Sequence, residues 1–358
     1  MATLDLEKMT EQLNLTFDKS VPSATMGLSA LVSINGKVVY NRALGTIEKL
    51  NFKYEQDTIY DLASLTKPLA PSLLLCKLLS KGKIALRDTV GDLGLFTKYQ
   101  NLKNLSIETL MTHTSGLIPD KPLYMEGKNK ASYLSGINKE AEKAVPFSRE
   151  IYSDLNYILL GFMLEELYGK PLGDIWKEEI GDKLGLKSSG FNPSVEKERV
   201  APTEVTEDRG LVWGKVHDEK SYYIGGEAGH AGLFSNSQDV WKLLQSFLNG
   251  KVIPEKVTKL AVSNRNVQFG GMFGLGWMTK VPAPVNRSES FYLNAFMGDF
   301  APYGTFGHTG FTGTSICINT ELNLICVLLT NRVYPTRESD GILSLRRHFH
   351  NAVFFNVS

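Results

Sequence analysis

No stretch of this chain stays apolar for the roughly 18 residues a transmembrane helix needs, so no membrane span is expected. Cysteine is scarce: three in 358 residues, Cys76, Cys317 and Cys326. An odd count in apolar surroundings reads as buried thiols, not a disulfide framework. Neither charge is in excess, since 39 basic and 38 acidic residues leave a net charge of +1. That offers no footprint for nucleic acid and no polybasic patch for anionic lipid. Residues 1–19 lack the basic-then-apolar order of a secretory signal, so a cytoplasmic location is expected, or a periplasmic or secreted one if a leader was removed. There is no Gly-x-Ser-x-Gly, which counts against an α/β-hydrolase, and no His-Glu-x-x-His. No internal repeat or low-complexity tract is visible, and no cofactor or metal is expected.

What is present centres on Ser64-Leu65-Thr66-Lys67. A serine hydroxyl is a weak nucleophile at neutral pH and needs a base within hydrogen-bond reach. Lys67 can supply one at the start of the apolar run Pro68 to Leu79. There, unpaired N–H groups and the positive end of a helix dipole favour developing negative charge. The same spacing occurs at Ser80/Lys83 and Ser194/Lys197. The first of these reads as the polar end of a helix and the second as surface loop. Pro71 removes a backbone donor one turn into the run, so a 3₁₀-like start is expected, which would bring Ser64 and Lys67 together.

Length suggests about two units of ~150 residues. An amphipathic helix is expected over 4–18, and strands over 28–34 and 37–44 joined by a tight Asn35-Gly36 turn. Helices are expected over 68–81, 106–112, 153–168 and 171–184. The stretch 119–145 reads as a long surface loop with at most a short helix. Strands return at 313–319 and 323–330, before a final helix over 338–350. The fold class is therefore α+β: an antiparallel sheet flanked by N- and C-terminal helices, with an inserted all-helical domain. The expected division is 1–62 with 190–358, and 63–189 as the insert, with a cleft between them.

Tyr152-Ser153-Asp154 precedes an apolar helical run. Beside a lysine, Tyr152 could relay protons, or it could simply pack at a helix start with Ser153 or Asp154 as N-cap. Asp154 could also bond to Lys67. His308-Thr309-Gly310 opens a segment with Gly307, Gly310 and Gly313, where a backbone can approach a ligand and aim an N–H at Ser64, or which could be a plain glycine-rich turn. His113 reads as structural. The loop 225–233 with His217-Asp218-Glu219 reads as cleft lining rather than a metal site. His348 and His350 cannot share a helix face and are expected to be solvated.

Ser-Leu-Thr-Lys at 64–67, Tyr-Ser-Asp at 152–154 and His-Thr-Gly at 308–310 occur in one order, with MTHTSGL at 111–117 and GGEAGHAGLFS at 225–235. Over roughly residues 25–345 the chain resembles the serine β-lactamase and penicillin-binding-protein superfamily, on its class C side, which also holds esterases and D-amino-acid peptidases. The resemblance implies an acyl-enzyme hydrolase acting on a small-molecule or peptide substrate. It implies Ser64 as nucleophile, Lys67 assisting its deprotonation, and Tyr152 as general base and acid. The backbone N–H groups of Ser64 and Phe311 would form the oxyanion hole. His308, Thr309 and Gly310 would line the substrate's acyl side. Two departures stand out: Asp154 where most class C enzymes have Asn, and His308 where β-lactamases usually have Lys. An aspartate should hold Lys67 protonated, which favours Tyr152 as base. A neutral histidine attracts a substrate carboxylate less. β-Lactams or D-alanyl peptides are expected ahead of simple esters. A non-catalytic binding or scaffold protein and a metallohydrolase using His217 and His230 are the readings from other classes.

Overall fold

The computed structural model describes residues 5–282, 286, 288 and 291–357. Among these, a seven-stranded antiparallel sheet runs in the order Phe52–Lys53, Lys37–Ile47, Gly27–Ile34, Leu324–Thr330, Ser315–Asn319, Phe306–Thr309, Met278–Thr279. The Asn35-Gly36 turn forms as expected, with positive φ at both residues (51° and 73°). That conformation matches the twist of the two strands it joins.

Side chains alternate across the central strands, as the two-residue period requires. Leu28, Ala30, Val32, Cys326 and Leu328 face one side. There they meet Met9, Leu13 and Phe17 of the N-terminal helix Leu6–Ser20, and Leu345, Phe349 and Val353 of the C-terminal helix Gly341–Phe355. Leu31, Ile316, Ile325, Val327 and Leu329 face the other side and join a core that continues into the helices of 73–184. Both faces are covered, so the strands read as unbroken apolar runs. All three cysteines are free and buried, and Cys317 lies opposite Cys326. No described helix is long and apolar enough to cross a membrane.

Between the short strands Tyr60–Asp61 and Gly190–Phe191 the described regular elements are all helical. Both strands pair with Leu233–Ser235, which ties the start and end of the helical stretch together. Four expectations need correction. Pro68–Ser72 is a π-turn ahead of the α-helix Leu73–Ser80, not a 3₁₀ start. Pro71 has no N–H to give and its ring crowds the preceding turn, which widens the helix instead of tightening it. The 3₁₀ turn falls earlier, at Ala63–Leu65. The stretch 119–145 holds a 12-residue helix, Lys130–Ala141, capped by Asn129 and anchored by Tyr133, Leu134, Ile137 and Ala141. The helix expected over 171–184 breaks into Leu172–Trp176, a π-turn and Asp182–Leu184. Finally, His348 is exposed but His350 is buried, its Nδ1 2.7 Å from the Phe296 carbonyl oxygen. Residues two apart point to opposite helix faces, so one of them had to face the core.

Candidate active site

Ser64 sits in a turn pinned from several directions. The buried Asp61 carboxylate accepts the Ala63 N–H at 2.8 Å and the His217 N–H at 2.7 Å. Thr312 Oγ1 donates to the Asp61 carbonyl oxygen at 2.7 Å, and Thr314 Oγ1 to that of Leu62 at 3.0 Å. Ala63 is held at φ 47°, a left-handed conformation that a non-glycine residue keeps only when its surroundings enforce it. Gly310 lies against this turn: a Cβ there would meet Thr314 Oγ1 at 2.2 Å and Leu62 O at 2.4 Å.

Lys67 is fully buried, and its Nζ lies 2.8 Å from Ser64 Oγ, 2.8 Å from Asp154 Oδ1 and 3.3 Å from the His230 carbonyl oxygen. That carbonyl arrives on the glycine-rich loop, where a Cβ on Gly229 would stand 2.0 Å from the Tyr157 carbonyl oxygen. Burial opposes the charge on Lys67, but Asp154 and Tyr152 outweigh it and its pKa is raised. Burial also raises the Tyr152 hydroxyl, against the lowering pull of Lys67, and Tyr152 hydrogen-bonds with both Lys67 and Ser64. Asp154 is held well below the carboxylate range; burial works against this, and the Lys67 ammonium is its strongest stabilising partner.

Asp154 opens the helix Asp154–Tyr168, whose N-cap position is Ser153. The Ser153 hydroxyl does not cap the helix; it donates to the Ile118 carbonyl oxygen at 2.6 Å. His113 packs beneath Tyr152, ring centroids 4.7 Å apart, and accepts the Ser153 N–H at Nδ1. It is structural, as expected, but what it supports is the floor under Tyr152. Burial keeps it neutral.

Ser64 lies where two cavities meet. One, of about 320 Å³, is lined by Ser64, Tyr152, Thr309, Gly310 and Phe311, with Arg332 and Arg346 in its wall. The other, of about 250 Å³, is lined by Ser64, Tyr152, Asp154, His217, Asp218 and Lys220. The loop residues His217 and Asp218 therefore line the cleft, as expected. Among the described residues, neither the Ser64 nor the Phe311 backbone N–H donates to a protein acceptor. A larger cavity of about 750 Å³, around Phe147 and Arg265, holds none of the residues expected at the site.

His308 corrects an expectation. It lines neither cavity; it is fully buried, its Nδ1 is 2.8 Å from its neighbour's carbonyl oxygen, and burial pushes it down to about 3. Thr309, Gly310 and Phe311 are the part of that motif that reaches the cleft. Asp154, Asp218 and His230 place three ligand-type atoms within 4.8 Å of one another. Lys67 and Lys220 already bond these carboxylates, so a divalent cation would have to displace ammonium groups. His217 is not in that cluster; its Nε2 is 2.8 Å from Glu204. Ser80, Lys83, Ser194 and Lys197 are exposed. Sequence reasoning missed Lys220, Asp61 and Arg346, since none stands in a recognised motif, and gave no role to Arg332, which stands in the family-like segment LLTNRVYPTR at 328–337.

The sequence profile of the β-lactamase family matches residues 18–348. The chain belongs to the β-lactamase family. A protein of Escherichia coli O157:H7, provisionally named a D-alanyl-D-alanine carboxypeptidase, is 31% identical over 376 aligned positions, covering 92% of this chain and 84% of the relative. Among solved structures, EstCE1, described as a hydrolase with promiscuous acyltransferase activity, matches with a TM-score of 0.75 at 20% identity, over 98% of this chain and 99% of that one. A class C β-lactamase from Rhodobacter sphaeroides matches with a TM-score of 0.70 at 17% identity, over 95% and 98%. At such identities the two structures speak for the fold. The protein is thus a member of a serine-hydrolase family with the β-lactamase fold.

Proposed function

We propose that this protein forms an acyl-enzyme on Ser64 and hydrolyses an amide of the D-alanyl-peptide or β-lactam type. The observation that carries this is the buried Lys67 ammonium bridging Ser64 Oγ and Asp154 at 2.8 Å each, at the junction of two cavities. Ser64 Oγ would attack the carbonyl carbon while its proton passes to the Tyr152–Lys67 pair. The new C–O bond leaves an oxyanion that the Ser64 and Phe311 N–H groups would receive. The C–N bond then breaks, the departing amine takes the proton, and water releases the acyl group by the reverse route. With Asp154 holding the charge on Lys67, Tyr152 is the base this reading favours.

Arg332 and Arg346 bear on the substrate. Both line the cavity at Ser64. Arg332, whose Nε and Nη1 donate to backbone carbonyl oxygens, can attract the carboxylate that β-lactams and peptide C-termini carry, while the buried Arg346, bonded to the Gly310 and Thr314 carbonyl oxygens, adds positive charge behind it. The carboxypeptidase name of the E. coli relative agrees with this choice. A carboxylesterase of the same fold is the second reading. It is favoured by the apolar mouth of that cavity, where Leu293, Phe311 and Leu343 are 40%, 49% and 66% exposed.

The test is covalent trapping. The protein is incubated with a fluorescent penicillin and, separately, with a fluorophosphonate, and any adduct is located by mass spectrometry. An adduct on Ser64 is expected, absent in Ser64→Ala. Absence of both adducts sinks the enzyme reading and leaves a non-catalytic binding or scaffold protein. Turnover of nitrocefin against p-nitrophenyl acetate ranks the two substrate classes.

A further inference from the structure

Lys220 carries no part of the reaction as read so far, yet it stands in the wall of the second cavity. Its Nζ lies 2.7 Å from Asp120 Oδ1, 3.2 Å from Asp154 Oδ2 and 3.4 Å from Asp218 Oδ2. The other oxygen of Asp154 is the one that holds Lys67. One carboxylate therefore serves two lysines. Asp218 in turn takes His230 Nε2 at 2.7 Å, and the His230 carbonyl oxygen returns to Lys67 at 3.3 Å. The result is a closed circuit: Lys67, Asp154, Lys220, Asp218, His230 and back.

The circuit is held from outside. Asp218 is the N-cap of the short helix Glu219–Tyr223 and accepts the Ser221 N–H at 2.8 Å. Tyr133 donates its hydroxyl to the Lys220 carbonyl oxygen at 2.9 Å. The charged and titratable groups facing Lys220 are Asp120 from the loop before the helix Lys130–Ala141, Tyr133 from that helix, Asp154 with Lys67 behind it, and Asp218 with His230 behind it. The Lys220 side chain is only 9% exposed, so water screens it little.

We propose that Lys220 is a positioning residue for the reaction: by sharing the Asp154 carboxylate it keeps Lys67 from being locked as a fully paired ammonium. The inference rests on the acyl-enzyme reading above. When Ser64 gives up its proton, the Tyr152–Lys67 pair must already be one proton short. An aspartate with a single lysine partner works against that form. A second permanent cation on the same carboxylate works for it, because positive charge nearby favours the loss of a proton. It also fixes the second carboxylate oxygen, and with it the direction from which Lys67 approaches Ser64.

The rate at which a fluorophosphonate labels Ser64 reports this without knowledge of the natural substrate. In that step an O–P bond forms, the P–F bond breaks, fluoride leaves, and the Ser64 proton goes to the Tyr152–Lys67 pair. Labelling is followed between about pH 6 and pH 11, because tyrosine and lysine ordinarily titrate near 10 and both groups are raised here, for wild type, Lys220→Met and Lys220→Arg. Thermal unfolding confirms that each is folded. In Lys220→Met the acid limb of the rate moves up by about one pH unit, so labelling below that limb slows about tenfold. Lys220→Arg keeps the wild-type limb. A folded Lys220→Met with an unmoved limb overturns the role. Should Lys220→Met fail to fold, Asp120→Asn decides. Asp120 is largely exposed in the wall of the second cavity, and its loss leaves the Lys220 charge less compensated. The limb then moves down, and a stationary limb overturns the role. Wild type that labels at no pH overturns the proposed function itself, and this role with it; wild type that labels with limbs indifferent to position 220 leaves the function standing and removes only the role.

Discussion

Ser64 has two unlike neighbours. Toward the helices it meets a connected set of buried charges: Lys67, Asp154, Lys220 and Asp218, each within 3.4 Å of the next. Toward the sheet it meets Thr309, Gly310 and Phe311, which follow the buried, neutral His308. In the proposed reaction the first side would move protons, and the second would supply shape and backbone donors. They also fail differently. A buried charge that loses its partner is costly at once, whereas a backbone donor is lost only when the chain around it shifts.

Asp154→Asn should break the charged side most severely. It leaves the Lys67 ammonium in the interior without its anion, and such a loss costs about 3–5 kcal/mol. Urea unfolding at neutral pH measures it, and a cost below about 1 kcal/mol would mean that the lysine had found water or another partner. The same variant should slow labelling of Ser64, because the lysine beside it loses its fixed place.

The two sides also answer to acid in separate windows. Burial holds His308 down to about 3 and, one turn beyond Arg346 on the C-terminal helix, His350 to about 4, from an ordinary 6.5; His113 is lowered too. A folded value below the unfolded one means that the unfolded chain takes up protons first as pH falls. Each of these histidines therefore withdraws stability below about pH 6.5, by about 1.4 kcal/mol per pH unit until its folded value is reached. Asp154 is depressed as well, so its contribution is whole above about pH 4 and lost only below it. Unfolding free energy measured from pH 8 to 3 should fall in two stages. Replacing His308 with glutamine should flatten the upper stage alone, and an unchanged upper slope would show that His308 is charged in the native protein.

Gly310→Ala should cost about 1–3 kcal/mol, as overpacking does, because its Cβ would press on Thr314 and the Leu62 carbonyl. Here stability and labelling should fall together, since that carbonyl belongs to the turn that holds Ser64. A stable Gly310→Ala that labels normally would show that the turn tolerates displacement.

The contrast between the two sides explains what was legible in the sequence. The sheet and terminal helices could be read because alternating and amphipathic patterns record burial directly. Ser64, Lys67, Tyr152 and Asp154 could be read because the first pair and the second each sit at a helix start, three and two residues apart. Lys220 and Asp61 could not, since their partners are 66 and 156 residues away (Lys220 to Asp154, Asp61 to His217) and no local pattern marks such a meeting. His308 departs from the expectation for a related reason. Its position in a motif named the strand, but only the tertiary structure shows that the side chain turns inward while Thr309 and Phe311 turn to the cleft. His350 and the helix Lys130–Ala141 show the weaker limit, where polar residues concealed a buried face.

Phe311 offers the smallest effect and the finest distinction. Its N–H is the one proposed for the oxyanion, but its ring is 49% exposed, under the Arg332 guanidinium at 4.4 Å and beside the His217 ring at 5.7 Å. Phe311→Ala keeps the backbone N–H, so kcat for a small ester such as p-nitrophenyl acetate should change by less than about threefold. A substrate with an apolar acyl group that covers the ring would lose about 1 kcal/mol of contact, about a fivefold rise in KM. A D-alanyl peptide, whose acyl-side methyl group covers little of the ring, should show a smaller rise. Comparing KM across the three substrates in wild type and Phe311→Ala therefore separates the esterase reading from the peptidase reading. A large fall in kcat for the small ester would instead mean that the ring itself holds the Phe311 N–H in line, and that the sheet side depends on its side chains as much as the helical side does.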